Sequence, residues 1–129
     1  MENQAYNWLV KKGNILIQKK GDCISVQIDY ENGEYCLLTQ TDTNEIIEML
    51  TGISKQIWES PNYEIKPYKN QLFKKNDNKY YWEIENSKLV LKFNEIENCV
   101  EISSTGNNKL NLEINYVVEV IQILEQLNK

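Results

Sequence analysis

The 129-residue chain contains no histidine and no arginine; all fourteen of its basic residues are lysines. Without imidazole it lacks the side chain that usually moves protons near neutral pH, and a serine or cysteine nucleophile lacks its usual base. Without guanidinium it lacks the planar fork that grips phosphate through two bonds. Asn, Ile and Lys are abundant, a compositional bias that by itself can account for the missing arginine. Cysteine is scarce and odd in number: Cys23, Cys36 and Cys99 stand far apart with no CxxC spacing, which argues against a zinc site and against a disulfide framework. Set in strand-like runs, they are expected as buried, reduced thiols. There is no glycine-rich phosphate loop and no calcium-loop spacing after Asp42. Apolar runs such as Trp8-Leu9-Val10 and Ile15-Leu16-Ile17 are too short to span a bilayer. Met1-Glu2-Asn3-Gln4 has neither the basic nor the apolar region of a secretory signal, which predicts a cytoplasmic protein without membrane contact. Acid pairs such as Asp29 with Glu31 and Glu34, or Glu95 with Glu97, flank turns and read as solubilising. No catalytic residue, metal or cofactor is expected, and the chain is read as a binding protein.

What is present begins with an uneven charge. The net charge is −5, but residues 1–20 carry +3, residues 21–60 carry −7 through eight acids against Lys55, residues 61–82 return to +3, and the remainder carries −4. The chain as a whole repels a phosphate backbone, while the 61–82 stretch does not. Its length suits one domain, which buries roughly 65–70% of the surface its unfolded chain exposes.

The second feature is a repeat. Tyr6 to Val10, Asn14 to Gln18, Cys23 to Tyr30 and Tyr35 to Gln40 read as strands, with Ile24, Val26 and Ile28 on one face. Asn32-Gly33 supplies a type I′ turn pairing Tyr30 with Tyr35. Asp42 and Glu45 resemble a capping box, and Ile46, Ile47, Leu50, Ile53 and Ile57 continue at helical spacing to about Trp58. The order recurs as strands over Lys79–Glu85, Lys88–Asn94, Cys99–Ser104 and Lys109–Ile114, with turns at Asn86-Ser87, Ile96-Glu97-Asn98 and Gly106-Asn107-Asn108. A helix capped by Asn115 follows, carrying Val117, Val118, Ile121 and Leu124. Trp8 to Trp82 is an offset of 74, Cys23 to Cys99 of 76, Leu38 to Leu112 of 74, and the helix stripes match at 71. The fold class expected is therefore α+β: tandem ββββα repeats, two antiparallel four-stranded meanders each followed by a helix, related by a pseudo-twofold. Repeat 1 covers about 5–60 and repeat 2 about 79–129. An irregular connector over 61–78, containing Pro61 and Pro67, joins them; connectors this long are usually functional or mobile.

This order of elements resembles that of the Whirly and PUR families, tandem ββββα proteins that bind single-stranded nucleic acid. The resemblance lies in the pattern over nearly the whole chain: of the Lys-Gly-Lys-Ala strand start of Whirly proteins, Lys12-Gly13 is present, followed by Asn14-Ile15-Leu16. The architecture is also similar to that of some immunity proteins of bacterial contact-dependent growth-inhibition systems. That resemblance, with the small size and acidic charge, implies a toxin-neutralising partner for a cognate toxin such as a nuclease, bound by occlusion. Carboxylates Asp29, Glu31, Glu34, Asp42 and Glu45 are the candidate partner-binding face. The alternative is single-stranded DNA or RNA binding by the connector, where Tyr63, Lys66, Tyr68, Lys69, Phe73 and Lys74 interleave rings with lysines. Charge and the lack of arginine make nucleic acid the less favoured partner. Monomer and dimer both stay open.

Overall fold

Alternation of apolar and polar residues sets which face of each long strand turns inward, and the computed structural model bears this out over residues 5–29, 35–68, 70–105 and 109–129, the residues it describes. Among these the order is β1 (Ala5–Leu9), β2 (Asn14–Lys20), β3 (Cys23–Asp29), β4 (Cys36–Leu38), α1 (Gln40–Trp58), β5 (Lys74–Asn76), β6 (Lys79–Ile84), β7 (Ser87–Asn94), β8 (Cys99–Thr105), β9 (Lys109–Glu113) and α2 (Ile114–Leu127). Ile15 and Ile17 on β2, Ile24, Val26 and Ile28 on β3, and Leu89 and Leu91 on β7 are all buried, as the period of two requires. The fold is α+β, with two antiparallel sheets and two helices.

The pairing of strands departs from two separate meanders. The first sheet has the order β1-β2-β3-β9 and the second β4-β8-β7-β6-β5. The expected hairpin between Cys23–Tyr30 and Tyr35–Gln40 is replaced: β3 pairs with β9, matching Ile24 to Leu112 and Val26 to Leu110, while β4 pairs with β8, matching Cys36 to Ile102 and Leu38 to Val100. β4 thus joins the sheet of β5–β8, and β9 joins the sheet of β1–β3. The Asn32-Gly33 and Gly106-Asn107-Asn108 turns lie outside the described residues. Local alternation fixes the buried face of a strand but carries no information about its neighbour. One local hint exists: Cys36, Leu37 and Leu38 are buried in succession, as a strand covered on both faces must be.

Leu37 is covered by the β1–β2 turn. Lys11 N–H donates to the Leu37 carbonyl and Leu37 N–H to the Lys12 carbonyl, both at 3.1 Å. Gly13 makes this approach possible: its φ is +87°, and a Cβ there would stand 2.6 Å from Cys36 Sγ. The Lys12-Gly13 pair therefore has a structural use in clamping one sheet to the other.

Three further boundaries shift. Helix α1 begins earlier than the Asp42–Glu45 reading, because Thr39 is the N-cap. Its Oγ1 accepts from Asp42 N–H at 3.1 Å while Asp42 Oδ2 accepts from Thr39 N–H at 3.3 Å, a capping box formed by the preceding residue pair. In α2 the N-cap is Glu113, whose side chain makes no capping bond; Asn115 instead sends its amide to the Lys66 carbonyl at 3.2 Å. Within the connector, Lys74–Asn76 forms β5 and hairpins onto β6 through Asp77, which takes φ 57°.

Both sheets and both helices share one core. Ile17 and Val26 of the first sheet, Leu89 and Ile102 of the second, and Leu50 and Val120 of the helices line a single small apolar cavity. Because β4 is buried in the sheet of the other half, Leu38→Ala should destabilise the whole chain by about 2–5 kcal/mol, the range for a fully buried leucine. Urea unfolding followed by tryptophan fluorescence and by far-UV circular dichroism should move by the same amount in both signals. A loss below about 1 kcal/mol, or a shift in one signal only, would contradict this placement.

Candidate functional site

The acidic candidates do not form one patch. Asp29 is exposed at the end of β3, with its carbonyl 3.8 Å from Cys36 Sγ at the start of β4; Asp42 and Glu45 follow the other end of β4, in the first turns of α1. Glu31 and Glu34 lie outside the described residues. The carboxylate of Asp42 is turned back into the cap. What the helix adds is Glu48, which the sequence reading omitted from the site. Asp42, Glu45 and Glu48 succeed one another at three-residue spacing and so share one stripe of α1. Glu45 and Glu48 are exposed, and none of the three is in an ion pair among the described residues.

The connector candidates come together, but most are held by the body of the protein. Lys66 Nζ pairs with Glu113 at 3.3 Å and Lys74 Nζ with Glu83 at 2.8 Å. Both lysines have raised pKa values because of these hydrogen bonds, and Glu83 is correspondingly lowered. Tyr63 is half-buried against the core. Phe73 sets its edge against Tyr80 and Trp82, with ring centroids 5.8 and 6.1 Å apart. Lys69 lies outside the described residues.

The residue that organises this stretch is Glu119 of α2, which was not among the candidates. It is 3% exposed, and its carboxylate accepts from Trp82 Nε1–H at 2.9 Å, from Leu72 N–H at 2.8 Å and from the Tyr68 hydroxyl. Three neutral donors thus satisfy a buried charge, with no lysine paired to it among the described residues. The sequence carries one signal for it: a lone acid inside the apolar run from Val117 to Leu124. The hydrogen bond to Glu119 also raises the Tyr68 pKa above its ordinary value, helped by burial and by the carboxylate charge.

A third surface is the outer face of the second sheet. Lys79 is directly opposite Lys92, Tyr81 is opposite Val90, and Lys88 Nζ stands 4.6 Å from the centre of the Tyr81 ring. Lys92 approaches Glu101 at 3.7 Å. A cleft of about 350 Å³ lies elsewhere, between the connector and the β9–α2 junction, lined by Asp22, Cys23, Tyr63, Glu64, Lys66 and Glu113. Partial burial, and then the charge of Glu113, raise the Cys23 pKa, so this thiol is not an activated nucleophile. Cys36, more deeply buried, is pushed up to about 11.

Glu119→Ala strips the acceptor from the buried Trp82 indole N–H and from the part-buried Leu72 N–H; an unmet buried donor costs about 1–3 kcal/mol, so a loss of about 1–4 kcal/mol is expected in denaturant unfolding. The Tyr68 bond has a pH signature. A hydroxyl whose pKa is raised by folding contributes stability below its unfolded value near 10 and loses it as pH climbs through the folded value. Spectrophotometric titration at 295 nm should show one tyrosine ionising late in the wild type and not in Tyr68→Phe. The variant should also lose stability less steeply in alkali. Identical titration curves would contradict the bond.

No protein-family model matches this chain, and no curated protein matches it.

Proposed function

We propose that the chain is a non-catalytic protein-binding inhibitor, an immunity protein that occludes the basic active-site rim of a bacterial toxin such as a nuclease. The observation that carries this reading is the stripe Asp42, Glu45 and Glu48 on α1. Asp42 is used by the helix cap, but Glu45 and Glu48 stand exposed with no ion-pair partner among the described residues, while four other acids are paired with lysines. Exposed carboxylates side by side on a helix suit a basic partner, which they would attract and orient. Asp29 stands away from this row at the far end of β4, so in this reading the contact centres on α1.

The same reading includes the pseudo-twofold. Ile15 and Ile17 correspond to Leu89 and Leu91, and Cys36 and Leu38 to Leu110 and Leu112, at one offset of 74, and all eight are buried. We take the exchanged fourth strands as the way two copies of ββββα, Whirly-like in order, build one core.

One observation favours the second reading, single-stranded nucleic acid. Lys79, Tyr81, Lys88 and Lys92 place a ring among lysines on an open sheet face. Titrations at low salt separate the two, using a fluorescently labelled single-stranded DNA and RNA on one side and purified bacterial nuclease-toxin domains on the other. The immunity reading expects binding to the toxin alone, and Glu45→Lys with Glu48→Lys should slow that association about tenfold with unchanged circular dichroism. Micromolar oligonucleotide binding that weakens steeply with salt would overturn it.

A further inference from the structure

The outer face of the first sheet carries a pair of lysines that the proposed function does not use. Ile15 and Ile17 on β2, Ile24, Val26 and Ile28 on β3, and Leu110 and Leu112 on β9 belong to the core. Alternation therefore turns Lys20, Ser25 and Lys109 to the opposite side. The register orders them. Ser25 stands between Gln18 on β2 and Asn111 on β9; Lys20 lies two residues along β2 from that row, opposite Cys23, and Lys109 lies two residues along β9 the other way, opposite Gln27. Ser25 is thus midway between the two lysines on a diagonal, each Cα about 8 Å from its own at ordinary strand spacing and rise. An extended lysine covers most of that distance.

Two observations show that the side chains do lie this way. Ser25 is 2% exposed although it faces outward. The Lys20 and Lys109 amines are also in hydrogen-bond contact, and that contact, ahead of the Lys20 charge and of burial, lowers the Lys109 pKa. Two ammonium groups brought together disfavour each other unless a counter-charge joins them. Elsewhere among the described residues four lysines pair with carboxylates and three lie over aromatic rings, and Lys20 and Lys109 do neither. The described acids on the strands of this face are Asp29 and Glu113. Glu113 is taken by Lys66, and Asp29 forms no ion pair with Lys109.

We propose that Lys20 and Lys109, with the Ser25 hydroxyl between them, bind a phosphate-type oxyanion on the outer face of the first sheet. A tetrahedral dianion can accept from two ammonium groups and a hydroxyl at once and balances both positive charges, whereas a carboxylate or a chloride balances one. Gln18 and Asn111, in the row of Ser25, add amides on either side. In a chain without arginine, paired point charges of this kind are what remains to hold such a group. Inorganic phosphate and a phosphate monoester present the same chemistry. The site sits on β2, β3 and β9 and owes nothing to the acidic row on α1, so its failure would leave the proposed function standing.

Amide NMR of isotope-labelled protein reads the outcome, with inorganic phosphate and glycerol phosphate titrated separately at constant ionic strength in chloride. The Lys20, Ser25, Lys109 and Asn111 signals should shift and saturate. The Lys109 amine should ionise below the usual lysine value without phosphate and move upward when it is added, because the anion favours the charged form. Lys20→Gln and Lys109→Gln should each weaken binding about tenfold with unchanged far-UV circular dichroism, the size expected for losing a charge-assisted bond. Lys55→Gln, which removes the same charge from the end of α1, should leave binding unchanged. Tighter binding of the monoester would support the site with the phosphate on a larger ligand, and equal binding would support it with the free ion. Shifts that do not saturate, or that survive both lysine substitutions, overturn the proposal, and so does a Lys109 amine that ionises at the ordinary value with and without phosphate.

Discussion

The structure depends on an exchange of strands between the halves of the chain. β4 leaves the sheet that precedes it and pairs with β8, and β9 crosses back to pair with β3. Neither sheet is complete without strands from both sides of α1 in the sequence, and the α1 N-cap, Thr39, directly follows β4 out of the second sheet. The close approach of Gly13 to Cys36 holds the exchange from behind, so a tight turn in the first sheet closes the back of the second. One apolar core, to which both sheets and both helices contribute, is the consequence.

Around this shared core the halves are finished differently. In the second half β5, Phe73 and the Glu119 carboxylate build a second layer over β6, and Trp82 disappears from the surface as its indole N–H meets Glu119. Glu45, six residues after the N-cap of α1 as Glu119 is after that of α2, is exposed and belongs instead to an acidic row. The same helical position thus anchors the connector in one helix and faces solvent in the other. The outer face of the second sheet sets Lys79, Lys88 and Lys92 beside Glu83 and Glu101, while the first turns of α1 carry acids alone.

Much of this was legible in the sequence. Strand after strand, the alternation of Ile15 and Ile17, Ile24 to Ile28, and Leu89 and Leu91 gave the buried face, because burial on one side imposes a period of two. The α1 stripe was equally legible; in α2 the expected Val118 and Ile121 are only half-buried, and Val120 and Ile123 take the inner face beside Val117 and Leu124. Strand partnership was not, since Cys36 to Leu38 would satisfy the same apolar pattern beside β3 or beside β8. Nor was Glu119 legible as a hub, because its three donors, Tyr68, Leu72 and Trp82, are brought to it from 51, 47 and 37 residues away. The acidic candidates were read as one stretch of sequence, and the fold divides them, sending Asp29 and the Asp42–Glu45 pair to opposite ends of β4.

The exchange is tested most directly by backbone nuclear Overhauser contacts in solution. The fold places Val26 opposite Leu110 and Ile24 opposite Leu112, and Leu38 opposite Val100 and Cys36 opposite Ile102. Cross-strand contacts between the backbones of these pairs, with none between β3 and β4, are the result the structure predicts. Contacts running down a β3–β4 hairpin, with β8 and β9 paired to each other, would contradict it.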